Sequence, residues 1–391
     1  MSILYISWKN IVHKRLASLL SVLLLAISIA LISFLYNFNE QVNRHFLKNI
    51  RGIDLIVSAK GSPLQAMLSS VYFVDAPTGN INYKVYEELQ KHPLVKQIIP
   101  LAYGDNFAGF SIVGTDENYY KLFNAELAKG NLASKPFEVV IGHRVAKTLN
   151  LKVGDDFHSA HGRHESGEKH TDTKFVVVGL LEKADAVIDN LILCQVEDVW
   201  NIHHISDAES QELTSLLIEL RNPMGMIVLA NLLRTDESVQ LVVPSVEIDR
   251  LFKLFGFGRV ALDALAYLIL FLAVISIFIS MLNNMQYRKY EVALMRTMGA
   301  GQLKVFKLVM FEVLILAAIG FIVGMILSRI GLLAMSTVME KNYQMSISAS
   351  EFPLTDLLLI PITIVICIVA ALLPAIKALK TDIAKVLADE F

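Results

Sequence analysis

The sequence predicts an α-helical membrane protein with four transmembrane helices and a mixed α/β domain outside the cytoplasm. Three observations carry that prediction. Of 391 residues, 54% are hydrophobic and 18% charged, which is more apolar than an ordinary soluble domain. Four stretches reach the roughly 20 apolar residues that cross a hydrocarbon core of about 30 Å. Lysine and arginine gather at alternate intervals between those stretches, as they do on cytoplasmic loops.

The first stretch, residues 16–36, carries no charge. Residues 264–282 form the second, reached through Asp263. Residues 308–328 form the third, which contains Glu312 and ends at Arg329. The fourth, residues 357–376, holds Pro361 and Pro374, and neighbouring helices can satisfy the carbonyls that proline frees. The first run is longer than a signal-peptide core, and Tyr36-Asn37-Phe38-Asn39 lacks the small residues of a cleavage site. It reads as an uncleaved anchor.

Lys9, Lys14 and Arg15 precede the first span. Arg288, Lys289, Arg296, Lys304 and Lys307 separate the second from the third, and Lys377, Lys380 and Lys385 follow the fourth. The remaining short loop has only Lys341, set against Glu340 and Glu351. This pattern predicts cytoplasmic termini. The resulting plan is a cytoplasmic amphipathic segment (1–15), the first helix with a stalk (16–50), and the outer domain (51–245). A stalk and second helix (246–286) and a cytoplasmic segment (287–305) come next. The third helix (306–330), an outer loop (331–353), the fourth helix (354–376) and a cytoplasmic tail (377–391) complete it.

Within the outer domain, residues 54–59 and 96–101 read as strands and residues 83–89 as a short helix closed by Pro93. A strand at 139–142 leads into a helix at 143–149. Residues 151–155 turn into another strand, and residues 174–180 alternate as a further one. Helix and strand compete over 209–220 and 223–233. At the flanks, Phe38, Val42, Phe46 and Ile50 recur at helical spacing, as do Ile248, Leu251, Phe252 and Phe255. These residues either extend the membrane helices as a stalk or lie on the lipid surface.

A formal net charge of -2 speaks against a nucleic-acid surface. The two cysteines, Cys194 and Cys367, fall in different compartments, so no disulfide is expected. No catalytic triad, zincin motif or paired carboxylates stand at recognisable spacing, which argues against an enzyme.

Between the second and third spans, Arg288, Glu291, Val292, Ala293, Met295, Arg296, Met298, Gly299 and Ala300 follow the order R-x-x-E-[IV]-A-x-[LM]-[RK]-x-[LM]-G-A. This order resembles the signature of FtsX-like permeases. Residues 302–312 look like the start of that family's third span, and Pro374, Ala375, Ala378 and Asp382 are similar to its C-terminal pattern. Residues 139–156 look like its extracytoplasmic strand-helix-turn. The chain is thus identified as resembling the FtsX/MacB-like (LolC/E-type) ABC transporter permeases. The resemblance implies a MacB-like periplasmic core domain and a bacterial inner-membrane location. It also implies a coupling helix built on Tyr287, Arg288, Glu291, Val292, Leu294, Arg296 and Gly299. Gly299 suits a helix C-cap, and Arg288 and Glu291 can pair three residues apart.

No G-x-x-x-x-G-K-[ST] loop is present, so ATP and Mg are expected on two copies of a separate ATPase. A second permease copy, either identical or a paralogue, would complete the symmetry. Further expected contacts are membrane lipids and a periplasmic or outer-membrane partner. The implied function is to transmit ATP-driven motion to the outer domain, for export or extraction of a lipoprotein, peptide or metal-related substrate. The alternative is FtsX-like control of an extracytoplasmic hydrolase.

Three other features have two readings each. His158, His161, His164 and His170 lie within thirteen residues and either gather zinc or simply line a solvated loop. His164-Glu165 is followed by Glu168, so the zincin motif H-E-x-x-H is absent. Glu312, costly inside a membrane, is either a contact within a dimer or a shallow residue paired with Lys304 and Lys307. Gly320 and Gly324 form a small-x-x-x-small pair that can seat a neighbouring helix.

Overall fold

The computed structural model describes residues 3–13, 15–162, 173–203, 205, 207, 209–234, 236–287, 289–343 and 345–379. In chain order the first elements are α1 (Ile3–His13), α2 (Arg15–Asn49), β1 (Leu55–Ala59), α3 (Pro63–Ser70), β2 (Ile81–Asn82), α4 (Tyr83–Gln90), β3 (Val95–Phe107) and β4 (Phe110–Gly114). Then come α5 (Glu117–Leu122), β5 (Leu127–Gly130), β6 (Glu138–Ile141), α6 (His143–Leu149), β7 (Asp156–Phe157), β8 (Ala160–His161) and β9 (Phe175–Leu181). After a 3-10 turn (Val187–Asn190) follow β10 (Ile192–Cys194), α7 (Val196–Ile202), β11 (Glu212–Leu213), β12 (Ser215–Leu220), α8 (Met224–Leu233) and β13 (Val239–Val242). The chain ends with α9 (Pro244–Tyr287), α10 (Lys289–Thr297), α11 (Gln302–Tyr343) and α12 (Leu354–Leu379). Two compact units result, Met1–Val42 with Gly256–Phe391, and Asn43–Phe255.

The Asn43–Phe255 unit is a mixed sheet in the order β13-β1-β12-β3-β4-β10-β6-β9-β5, with β7 on β9 and β8 on β3. The pairs β4–β10 and β6–β9 are parallel and the rest antiparallel. Its backbone is β3. Residues 95–101 of this strand pair with β12 and residues 102–107 with β4, with a register shift between Tyr103 and Asn106. That second partner carries β3 six residues past the predicted strand.

Local chemistry accounts for several helices. The Asn82 side chain accepts from the Lys84 amide at 2.9 Å, starting α4. Ser62 caps α3 ahead of Pro63, a helix that the predicted plan lacks. The ambiguous stretch resolves by burial and by proline. β12 is almost wholly buried between β1 and β3, and α8 starts just after Pro223.

The predicted stalk residues split between the two units. Phe46 lies 4.9 Å from Tyr72 and 5.6 Å from Phe252, ring centre to ring centre. Ile50, Ile248 and Phe252 join the same hydrophobic core. These residues belong to the outer domain's own core, so the lipid-surface reading fails for them.

Among the described residues, four helices are long and apolar enough to cross a membrane: Ser18–Asn49, Val260–Asn283, Gln302–Glu340 and Leu354–Lys377. The third differs from expectation. Residues 331–343 are helical rather than loop, so α11 runs for 42 residues, about 63 Å at 1.5 Å per residue. Arg329 only interrupts an apolar stretch that resumes at Ile330 and runs to Met339, and the leucine, alanine and methionine there favour continued helix.

Leu25 and Ile29 of α2, Ile277 of α9, Val309 and Val313 of α11, and Ala371 of α12 share one core. The Gly320–Gly324 pair is used inside the chain. A Cβ on Gly320 would stand 2.7 Å from Leu25 Cδ2, and one on Gly324 would stand 2.8 Å from the Ala26 carbonyl. The small residues therefore seat this chain's own first span.

Candidate functional site

Helix α10 is nine residues long and begins two positions after α9 ends. One face is anchored. Val292 and Ala293 are 2% and 0% exposed, and Val292 shares a core with Ile11 of α1 and with Val305 and Val309 of α11. The opposite face is open, with Tyr290, Leu294 and Met298 at 38%, 46% and 81% exposure. Their spacing of four aligns them in a single ridge, and Glu291 is exposed beside it.

The helix stops where the sequence predicts. Gly299 has φ +92°, its amide donates to the Arg296 carbonyl at 3.1 Å, and the Ala300 amide donates to Met295 at 2.9 Å. These two bonds make a Schellman cap, for which glycine is the favoured residue. The cap turns the chain directly into α11.

Of the predicted coupling residues, Glu291 and Leu294 are exposed on α10, Arg296 is half-buried near its end, and Gly299 forms the cap. Tyr287 closes α9. Arg288, and with it the predicted Arg288–Glu291 pair, lies outside the described residues. Val292 differs from the others: it is buried in the bundle core and lies on the anchored face of α10, not on the open one. Tyr290 and Met298 were missed, although their spacing from Leu294 was readable in the same segment.

A second polar centre, also missed, sits among the membrane helices. Ser33 and Asn37 of α2, Ser328 and Arg329 of α11, and Asp356 of α12 form one hydrogen-bonded cluster. Arg329 and Asp356 make the ion pair at its centre. Glu312 is 3% exposed within α11, beside the buried Val309 and Val313. It is buried among the helices of its own chain.

The histidine-rich segment comes together only in part. His158 Nδ1 lies 2.8 Å from the Thr173 carbonyl, and β8 places His161 opposite Asp105 in register. His164 and His170 lie outside the described residues. Among the described residues no three His, Cys, Asp or Glu side chains are grouped to hold a metal ion.

Residues 18–231, more than half of the chain, match the MacB-like periplasmic core domain, and residues 264–383 match the FtsX-like permease C-terminal region. The chain is 24% identical over 338 residues to the uncharacterized ABC transporter permease protein Rv0987 of Mycobacterium tuberculosis (strain ATCC 25618 / H37Rv). That alignment takes in 79% of this chain but only 37% of the mycobacterial protein. The chain is 22% identical over 391 residues to the lipoprotein-releasing system transmembrane protein LolC of Buchnera aphidicola subsp. Acyrthosiphon pisum (strain APS), covering 96% and 94% of the two chains. The periplasmic region of MacB from Actinobacillus actinomycetemcomitans is 14% identical, with a TM-score of 0.37 over 53% of this chain and 97% of that one. With four membrane-length helices, an α/β domain outside the cytoplasm and both family regions in order, the chain belongs to the MacB/FtsX family of ABC transporter permeases.

Proposed function

We propose that this chain is the transmembrane subunit that receives ATP-driven motion from a separate ATPase and passes it to the extracytoplasmic domain. The observation that carries this reading is the Tyr290–Leu294–Met298 ridge, exposed along α10 and into its cap, while the other face is seated in the bundle through Val292 with Ala293 buried beside it. An apolar ridge on a firmly seated short helix can transmit a push, because the force on it cannot be absorbed by the helix rolling. Glu291 beside the ridge offers a charge that selects the partner's complement.

In this reading two ATPase copies bind ATP and Mg, and two permease chains sit together with their termini and α10 in the cytoplasm of a bacterial cell. The permease itself performs no chemistry. The work is export or extraction of a substrate delivered outside the membrane, such as a lipoprotein or peptide.

The test is a photo-crosslinking amino acid at Leu294, activated in native membranes. An adduct with an ABC ATPase is expected. No adduct, together with undiminished ATPase stimulation by a Leu294→Asp permease in proteoliposomes, would overturn the reading.

A further inference from the structure

Asp356, buried at the start of α12, accepts from Ser33 Oγ at 2.7 Å and from Asn37 Nδ2 at 3.1 and 3.2 Å. It also pairs with Arg329 of α11. Ser328 Oγ donates to Ser33 Oγ at 3.0 Å, and Asn37 Nδ2 donates to the Ser33 carbonyl at 2.8 Å. The Arg329 guanidinium lies 4.3 Å from the centre of the Phe352 ring.

A buried ion pair holds when further hydrogen bonds satisfy its remaining polar atoms. Ser33 and Asn37 do this for Asp356. Pulling any one of the three helices away would strand desolvated polar groups, whose cost is high where water is scarce.

The second span takes no part. Among the described residues α9 contributes no member of the cluster. It is also the least buried of the four spans. Its fully buried residues, Ala266, Ala273, Ile277 and Met281, form one narrow line, while Tyr267, Leu268 and Phe271 are exposed. Beside that line a hydroxyl pair, Ser21 and Ser276 at 3.2 Å, ties α9 to the first span. The aliphatic contacts are non-directional and can slide, whereas a network of hydrogen bonds around an ion pair fails steeply with angle.

We propose that the Arg329–Asp356 cluster latches the first, third and fourth spans into one body, and that the second span is the element that moves against it. As an account of transmission this rests on the function proposed above: α10 is seated on α1 and α11, so a push on it reaches the latched body, and α9, which ends two positions before α10 begins, is the span against which that body shifts. The latch itself is a property of the isolated chain.

The experiment uses pulsed dipolar EPR on the full chain in nanodiscs, in a Cys194→Ala, Cys367→Ala background. Spin labels at the exposed positions Tyr36 and Leu354 report within the latched body, and labels at Val260 and Leu354 report across it. A narrow distance distribution is expected for the first pair and a wider one for the second. Asp356→Asn should widen the first until it matches the second, and the Arg329→Asp, Asp356→Arg exchange should narrow it again. Should Asp356→Asn fail to fold, Ser33→Ala removes one bond and should widen the first pair to a lesser degree. Equal widths for both pairs in the native sequence, or a first pair that stays narrow in every variant, would overturn the latch. No ATPase is present in this measurement. A failed latch therefore leaves docking on α10 standing, and a failed crosslink at Leu294 leaves the latch standing.

Discussion

The side-chain amide of Gln41 holds both backbone groups of Ser348, accepting from its N–H at 2.7 Å and donating to its carbonyl at 2.9 Å. The segment before α12 is thereby fastened to the first membrane helix. Met345 and Ile347 are buried in the same stretch. Two neutral hydrogen bonds contribute about 1–3 kcal/mol together. Gln41→Ala should lose an amount of that order, and amide exchange over 345–353 should accelerate while the rest of the bundle keeps its protection. Hydrogen-exchange mass spectrometry in nanodiscs measures both.

Gly324 tests the seat of the first span. A Cβ there meets the Ala26 carbonyl at 2.8 Å and Ile29 Cβ at 2.9 Å, and a backbone atom cannot rotate away as a side chain can. Overpacking of this kind costs about 1–3 kcal/mol. Gly324→Ala should therefore lower the thermal midpoint in detergent. Gly324→Leu should prevent a monodisperse preparation, as read by size-exclusion chromatography.

The two faces of α10 should respond in opposite ways. Val292→Asp puts a charge among Ile11, Val305 and Val309 and should destabilise the bundle by about 3 kcal/mol or more. Leu294→Asp, on the open face, should leave the thermal midpoint unchanged and abolish co-purification of the ATPase. Glu291→Lys should likewise weaken coupling without unfolding anything. Equal loss of stability in Val292→Asp and Leu294→Asp would contradict the assigned orientation.

Cys194 gives the outer domain a pH signature. It is buried on β10, and burial pushes its thiol well above the ordinary range, with Asp198, Asp105 and Glu197 acting in the same direction. In the unfolded chain the thiol ionises near its ordinary value of about 8.5. The folded state binds the proton more tightly, so this contribution is fully present below that pH and is lost as pH rises through the folded value. Alkaline destabilisation of the domain should be weaker in Cys194→Ala than in the native chain. Maleimide should modify Cys194 only as the domain unfolds, a rate that mass spectrometry follows.

Much of this architecture was legible in the residues. Four long apolar runs, the helix over 143–149 and the glycine stop at Gly299 all appear in the fold. Each depends on interactions within a few positions of the chain: hydrocarbon length, caps and turn geometry. The beginning of α11 was readable, but its end was not, because the charge of Arg329 interrupts an apolar, helix-favouring stretch that resumes at Ile330 and continues to Met339.

The remaining features depend on partners far apart in the chain. Asp356 looks like an ordinary acidic residue at the edge of a span until Ser33, 323 positions earlier, is brought against it. Gly320 and Gly324 advertise a close helix contact without naming the helix, and packing assigns it to the chain's own first span. The two faces of α10 share a similar apolar content, and only its seating on α1 and α11 makes Val292 an anchor and Leu294 a free edge. Local composition sets which elements form, since those forces act over a turn or a bilayer's thickness. Which polar atoms meet is set by how the helices pack, since a hydrogen bond exists only where both ends arrive.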